Sequence, residues 1–195
     1  MVQRAPLHFK LLIVLVCLVG CKNKSAEAVS ACAVFVTSEA IPSDTILSTD
    51  ANLKLDNGTY FFNKKLFNGY VKSTYSENTI KSVESYLDGK QYGVGLTYYV
   101  NGNLRDKRSY KNGKSFGKQI GFWENGHQKY VFFYNNDKRE GINKQWYESG
   151  QPYCALTYKD DKEVGLQQAW TENGKLYINY EVKNGARYGL QKSAL

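Results

Sequence analysis

The sequence predicts an all-β fold: an antiparallel meander of β-hairpins, stacked at a 24-residue period into a single extended, twisted sheet. Three observations carry this reading. Glycines recur, without insertion or deletion, at Gly69, Gly93, Gly117, Gly141, Gly165 and Gly189. A second comb sets Gly102, Gly126, Gly150 and Gly174 behind Asn or Ser at the same step. A third sets Asp88-Gly89, Asn112-Gly113, Asn136-Asp137, Asp160-Asp161 and Asn184-Gly185 in phase with the others. Self-similarity at a fixed period marks a repeat array, whose units bury their faces against neighbours and present a long surface rather than one enclosed pocket.

The elements follow in order. Arg4 and Lys10 precede an unbroken apolar run from Leu11 to Gly20. That run is too short for a membrane helix, which needs about 20 residues. A charged start and small residues near the end make 1–20 a secretory signal peptide. The run closes Leu18-Val19-Gly20-Cys21, which resembles the bacterial lipobox. The resemblance implies cleavage before Cys21, diacylglycerol on its thiol and acylation of the new amino group. Two or more acyl chains, at about 0.8 kcal/mol per buried methylene, hold a protein stably at a membrane. Lys22 resembles the residue found in lipoproteins not retained at the inner membrane. The location implied is the bacterial cell envelope, and the outer membrane in a diderm host. The competing reading is an ordinary cleaved signal with an incidental cysteine.

Residues 21–55 are rich in Ser, Ala, Thr, Asn and Lys, hold Pro42 and show no strong period, which reads as a lipidated tether. Ala28 to Val36 is mildly apolar and offers an alternative strand or a segment docked on the array. The repeat domain then fills 56–195. Asn57-Gly58 and Phe62, which lies one period before Tyr86, mark a degenerate half-repeat capping its start.

Within one repeat, residues 93–116, Asn101-Gly102 and Asn112-Gly113 are both read as two-residue hairpin turns, because each pair tolerates positive φ. Punctuation this dense excludes helices, and Tyr, Phe, Trp, Thr and Val between the turns favour strands. Alternation then assigns faces. Thr74, Tyr98, Phe122, Trp146 and Trp170 form one column, and Tyr86, Tyr110, Tyr134, Tyr158 and Val182 another. Even separation from Leu96, Ile120, Ile142 and Leu166 places both columns on one apolar face. Lys107, Lys129, Gln119, Gln145 and Gln167 fall on a wet opposite face, together with an aromatic stripe of Tyr99, Trp123 and Tyr147. The stripe either stiffens a thin sheet by cross-strand packing or serves as candidate partner-binding residues. The turns that define the repeat are Gly102, Gly126, Gly150 and Gly174, with Gly113 and Gly185; the glycines from Gly69 onward read as sites of a bulge.

The chain holds 26 basic and 18 acidic residues. Removing 1–20 takes Arg4 and Lys10 and no acid, leaving 24 − 18 = +6. Lysines alternate with acids, as in Lys159-Asp160-Asp161-Lys162-Glu163, which reads as a solvated surface. Secretion and the absence of a basic block argue against a nucleic-acid partner. After loss of Cys17 and lipidation of Cys21, Cys32 and Cys154 remain, either as one disulfide in an oxidising compartment or with Cys154 as a buried thiol. His127 is the one histidine after position 20, and no set of His, Cys and carboxylates has metal-ligand spacing. No catalytic residue, metal site or cofactor is expected, and the chain reads as a non-enzyme.

Gly117-Lys-Gln-Ile-Gly-Phe-Trp-Glu-Asn-Gly126, Gly165-Leu-Gln-Gln-Ala-Trp-Thr-Glu-Asn-Gly174 and the recurring Tyr-x-Asn-Gly-Lys resemble the bacterial variant of the MORN repeat. The resemblance covers about residues 58 to 192. Chains of this kind are grouped with the YwqK-like antitoxins, which implies neutralisation of a toxic protein by binding. For an exported, anchored chain, the implied target is a toxin acting in the envelope, as for an immunity protein. MORN repeats are linked elsewhere to membrane association and scaffolding. Glu77-Asn78, Asp137 and Asp161 depart from the pattern. Two function classes follow: a membrane-anchored protein-binding scaffold, or a module that binds cell-wall glycan through surface aromatics such as Trp123.

Overall fold

The computed structural model describes residues 41–190. Strands and turns account for their regular structure, with no helix among them. The main sheet has 15 strands in an open path and does not close into a barrel. From Gly69–Ser76 it passes through Thr79–Leu87, Gly93–Tyr98, Leu104–Lys111, Gly117–Phe122 and Gln128–Asn135. It continues through Gly141–Trp146, Pro152–Lys159, Lys162–Trp170 and Leu176–Lys183 to Ala186–Leu190. Each strand pairs antiparallel with the next, so the meander expected from the three combs is the fold.

Two elements depart from that plan. Thr45–Leu47 runs parallel to Gly69–Ser76, with Ile46 opposite Val71. Leu53–Asp56, Thr59–Phe62 and Lys65–Leu66 form a separate three-stranded sheet. Its Leu53 joins Phe67, Val71 and Tyr86 in a buried cluster, with Ile46, Tyr60 and Phe62 packed against it. Tyr60 meets Tyr86 edge-on at 4.9 Å between centroids. The Tyr60 N–H donates to the Gly89 carbonyl at 2.7 Å, and the Gly89 N–H to that of Phe67 at 2.8 Å. This small sheet covers the first hairpin of the array, as terminal units of repeat proteins must. Folded structure therefore begins before residue 56, inside the range expected as tether. The remainder of that range, the segment 1–20, Cys21 and Cys32 lie outside the described residues.

The third-comb turns are as expected. Both central residues carry positive φ, as in Asn112 (51°) and Gly113 (77°), the signature of a type I′ turn. Asp137 (68°) and Asp161 (65°) hold the same conformation where the comb loses glycine. They gain something in exchange. Asp137 Oδ1 accepts the Ser115 N–H at 2.7 Å and Asp161 Oδ1 the Arg139 N–H at 2.8 Å, each in the preceding repeat.

The second comb needs correction. At Asn101-Gly102 only Gly102 has positive φ (86°). The Gly102 N–H donates to the Tyr99 carbonyl at 3.0 Å and the Tyr99 N–H to the Asn103 carbonyl at 2.8 Å. That is a three-residue loop closed by a glycine bulge, not a two-residue turn. Gly126, Gly150 and Gly174 repeat the φ, at 88°, 90° and 83°. Asn101 Oδ1 accepts the Asn103 N–H at 2.9 Å, which is why Asn precedes the glycine.

The face assignment is also corrected. Tyr86, Tyr110, Tyr134, Tyr158 and Val182 stand opposite Gly69, Gly93, Gly117, Gly141 and Gly165. They share their face with Gln119, Gln145 and Gln167, not with Leu96, Ile120, Ile142 and Leu166. Lys107 pairs with Leu96 and so lies on the other face. The cause is arithmetic. Facing residues across these hairpins have opposite parity, as Tyr86 and Gln91 do, so even separation across a turn puts two residues on opposite faces. We call the two sides the tyrosine face and the open face. The tyrosine face holds most of the buried residues, including Gln167, which is fully enclosed.

Candidate functional site: inter-repeat rungs and the open face

The aromatic stripe lies beyond the strand ends, in the second-comb loops, and its polar atoms reach into the next repeat. The Tyr75 hydroxyl donates to the Tyr98 carbonyl at 3.0 Å, Tyr99 to Phe122 at 2.9 Å, Trp123 Nε1–H to Trp146 at 3.1 Å and Tyr147 to Trp170 at 3.0 Å. Each bond spans one period less one residue, so the stripe, with Tyr75 of the strand Gly69–Ser76 before it, is a ladder of rungs reaching the strand end of the next repeat. Tyr99, Trp123 and Tyr147 are half-buried. Lys129 Nζ lies 4.2 Å from the Trp123 ring centroid, and Tyr153 packs edge-on to Tyr147 at 5.2 Å. This geometry supports a framework role for the stripe.

Further rungs reinforce both edges. Asn103 Nδ2 donates to the Glu124 carbonyl at 2.9 Å and Asn125 Nδ2 to that of Glu148 at 3.0 Å. His127 Nδ1 bonds the same Glu148 carbonyl at 2.8 Å, so the histidine adds to this rung. At the opposite edge the turn amides of Gly89, Gly113, Asp137 and Asp161 donate to the carbonyls of Phe67, Gln91, Ser115 and Arg139. Sequence reading missed these rungs, although the recurrence of Asx and aromatic residues at fixed loop positions was their visible trace.

The tyrosine face is held by buried polar groups. Asp106 accepts from Thr97 Oγ1 at 2.9 Å, Arg105 Nε at 3.0 Å, Arg108 at 3.5 Å and the Tyr130 hydroxyl. Burial alone would raise its pKa, but the bonds from Tyr130, Thr97 and Arg105 outweigh it and hold the carboxyl below its usual value. Tyr130 is pushed to about 12, first by burial and then by its bond to Asp106. Its ring lies over Gly121, where an added Cβ would stand 2.1 Å from the ring, so this strand position admits no side chain. Gln167 completes the bulge opposite Thr157: its Oε1 accepts the Thr157 N–H at 3.1 Å, and its Nε2 donates to the carbonyls of Thr157 at 2.9 Å and Val164 at 2.8 Å. Asn143 Oδ1 accepts the Phe133 N–H one repeat earlier at 2.7 Å. Cys154 is a free, buried thiol, pushed by burial to about 11. It sits on a strand beside Gln145 and Ala169, whereas His127 belongs to a loop.

The open face differs. Val94, Lys118, Ile142 and Leu166 recur one period apart, with Phe133 opposite Lys118. Val94, Phe133, Ile142 and Leu166 keep 40, 39, 51 and 48 % of their surface exposed. Two shallow clefts of about 550 and 580 Å³ lie at the cap. One is lined by residues such as Lys54 and Phe61, the other by residues such as Ile46 and Phe67. Among the described residues, no group of three His, Cys, Asp or Glu side chains could hold a metal ion, and no helix is long and apolar enough to cross a membrane. Comparison with protein-family models and with curated proteins returned no match.

Proposed function

We propose that the chain is a bacterial envelope lipoprotein, anchored through Cys21, whose repeat array binds a protein partner in the manner of an immunity protein against an envelope-acting toxin. The observation that supports protein binding most is the row Val94, Phe133, Ile142 and Leu166, apolar and 39–51 % exposed on a sheet whose loops are bonded repeat to repeat. Exposed apolar side chains on a rigid support, Phe133 and Ile142 on adjacent strands and Val94 and Leu166 set among Ser109, Lys118 and Thr157, fit a protein contact of mixed character, because docking then needs little ordering of the binder. The anchor rests on the lipobox-like Leu18-Val19-Gly20-Cys21.

The test is retention of envelope components by the full chain. The proposal expects an envelope protein held by the wild type and lost with Ile142→Glu or Leu166→Glu while circular dichroism stays unchanged. Retention on purified sacculi, abolished by Trp123→Ala, would replace it with the glycan-binding reading. Cys21→Ala is expected to move the chain from the membrane to the soluble fraction; unchanged fractionation refutes the anchor.

A further inference from the structure

Pairing sorts the charges of this chain by face, although they alternate along the sequence. Each third-comb turn from Gly89 to Asp161 is followed by lysine: Lys90, Lys114, Lys138 and Lys162. These pair with Leu87, Lys111, Asn135 and Lys159. Their partners continue in strand alternation with Lys107 and Ser109, or the equivalent positions, and so belong to the open face. All four turn lysines, with Lys111 and Lys159, are exposed. Successive members of the column stand two strands apart, about 10 Å at the usual strand spacing.

Acids are scarce on that face. Among the described strands from residue 69 onward, Glu181 is the one acid it holds, and Glu181 pairs with Lys183 at 2.8 Å. Glu84, Asp106 and Glu163 all face the tyrosine side, opposite Val71, Thr97 and Tyr158. The turn acids near the row are mostly engaged. Asp137 and Asp161 accept backbone N–H groups, and Asp160 meets Lys138 at 3.6 Å; Asp88 lies at the turn nearest the cap. Arg108, Arg139 and Arg187 also lie on the tyrosine face, opposite Gly95, Tyr134 and Val182, and Arg105 Nε donates to Asp106 of that face at 3.0 Å. Positive charge on the open face is therefore carried as lysine. Arginine is the side chain suited to bidentate phosphate recognition; lysine acts as a point charge. Lysines bordering an exposed apolar row match carboxylates bordering an apolar patch.

We propose that the open face docks an acidic protein surface. Its carboxylates lie against the column Lys90, Lys114, Lys138 and Lys162, and its apolar side chains lie against Val94, Phe133, Ile142 and Leu166. This rests on the protein-binding reading above and names both the face and the chemistry of the partner. A water-soluble carbodiimide joins an amine to a carboxylate only where the two touch, so cross-linking of the full chain in envelope extract reads the contact directly. The expected result is cross-links from the column lysines to Asp or Glu of the retained partner. The joint Lys→Gln substitution of Lys90, Lys114, Lys138 and Lys162 should weaken that partner's Kd by about tenfold or more and flatten its salt dependence. Lys54→Gln with Lys65→Gln, on the cap, should leave it unchanged. Retention of the partner at unchanged Kd by the fourfold variant overturns the acidic-surface proposal while protein binding stands. Failure of any protein to bind overturns both. Phosphatidylglycerol vesicles, offered to the full-length Cys21→Ala chain, supply the last arm. Vesicle binding lost in the fourfold variant, with no protein cross-linked, overturns the proposal in favour of a lipid surface.

Discussion

Gln167 and Gln119 occupy the same repeat position and are both buried, yet only one has its amide bonded. Gln167 is fully enclosed and exchanges bonds with the Thr157 N–H, the Thr157 carbonyl and the Val164 carbonyl. Gln119 keeps 6 % exposure, and its Nε2 has no partner. Replacement by leucine keeps approximate volume and removes the amide, so the pair separates hydrogen bonding from packing. Gln167→Leu strands buried backbone groups, each costing about 1–3 kcal/mol; with relaxation and a second partner for some of them, the loss should be about 3 kcal/mol. Gln119→Leu removes a donor that was already unpaired and should cost under about 1 kcal/mol, or stabilise. Urea unfolding of both variants supplies the free energies. Amide hydrogen exchange at Thr157 supplies the local reading, since its N–H loses its acceptor only in Gln167→Leu. Equal losses in the two variants, or unchanged Thr157 exchange in Gln167→Leu, would refute the reasoning.

Other outcomes follow from the same structure. Gly126→Ala, where φ is 88° and no atom lies within 4 Å of the added Cβ, should cost about 1 kcal/mol from backbone strain alone. Gly121→Ala meets the Tyr130 ring at 2.1 Å and should cost about 2–3 kcal/mol in urea unfolding; the reverse order would contradict the structure. Trp123→Phe deletes the bond to the Trp146 carbonyl and should lower stability by about 1 kcal/mol, so an unchanged melting curve would deny the rung. A buried thiol raised to about 11 keeps its proton in the folded chain at pH values where the unfolded chain has lost it. Stability should therefore fall as pH rises from about 8.5, the unfolded thiol's value, towards 11. Cys154→Ala should lessen that fall relative to the wild type, and identical alkaline profiles would refute it.

The fold was legible because turn chemistry is local. Asn112-Gly113 favours positive φ at both residues and the comb repeats the signal, although the same dipeptide at Asn101-Gly102 closes a three-residue loop with positive φ at glycine alone. The faces were less legible. Alternation holds within a strand, so Leu96 and Tyr98 do share a face, but parity inverts across a hairpin, which puts Tyr110 on the other side. Alternation puts Gln167 on the face opposite Leu166, as the structure has it, but that face is not wet: the glutamine is enclosed because bulged backbone offers it three bonds, which composition does not reveal. The lysine column was visible as letters but was masked by neighbours such as Asp160 and Asp161, whose position in a turn separates them from the strand face. The cap is read in part: Asn57-Gly58 and Phe62 mark its first hairpin, but its third strand is not legible, because Asn63-Lys64 takes positive φ (49° and 64°) without any glycine.

The central claim is that successive hairpins are bonded into one sheet at their turns as well as along their strands. Residue-resolved amide exchange of Gly113, Asp137 and Asp161 tests it directly. Their N–H groups would face water in a lone hairpin; in the stacked array they donate to Gln91, Ser115 and Arg139 at 2.8, 3.0 and 3.1 Å. Slow exchange at all three, against fast exchange at the neighbouring Asn112 and Asn136, is the predicted result. Exchange at the three as fast as at those neighbours would contradict the stacking.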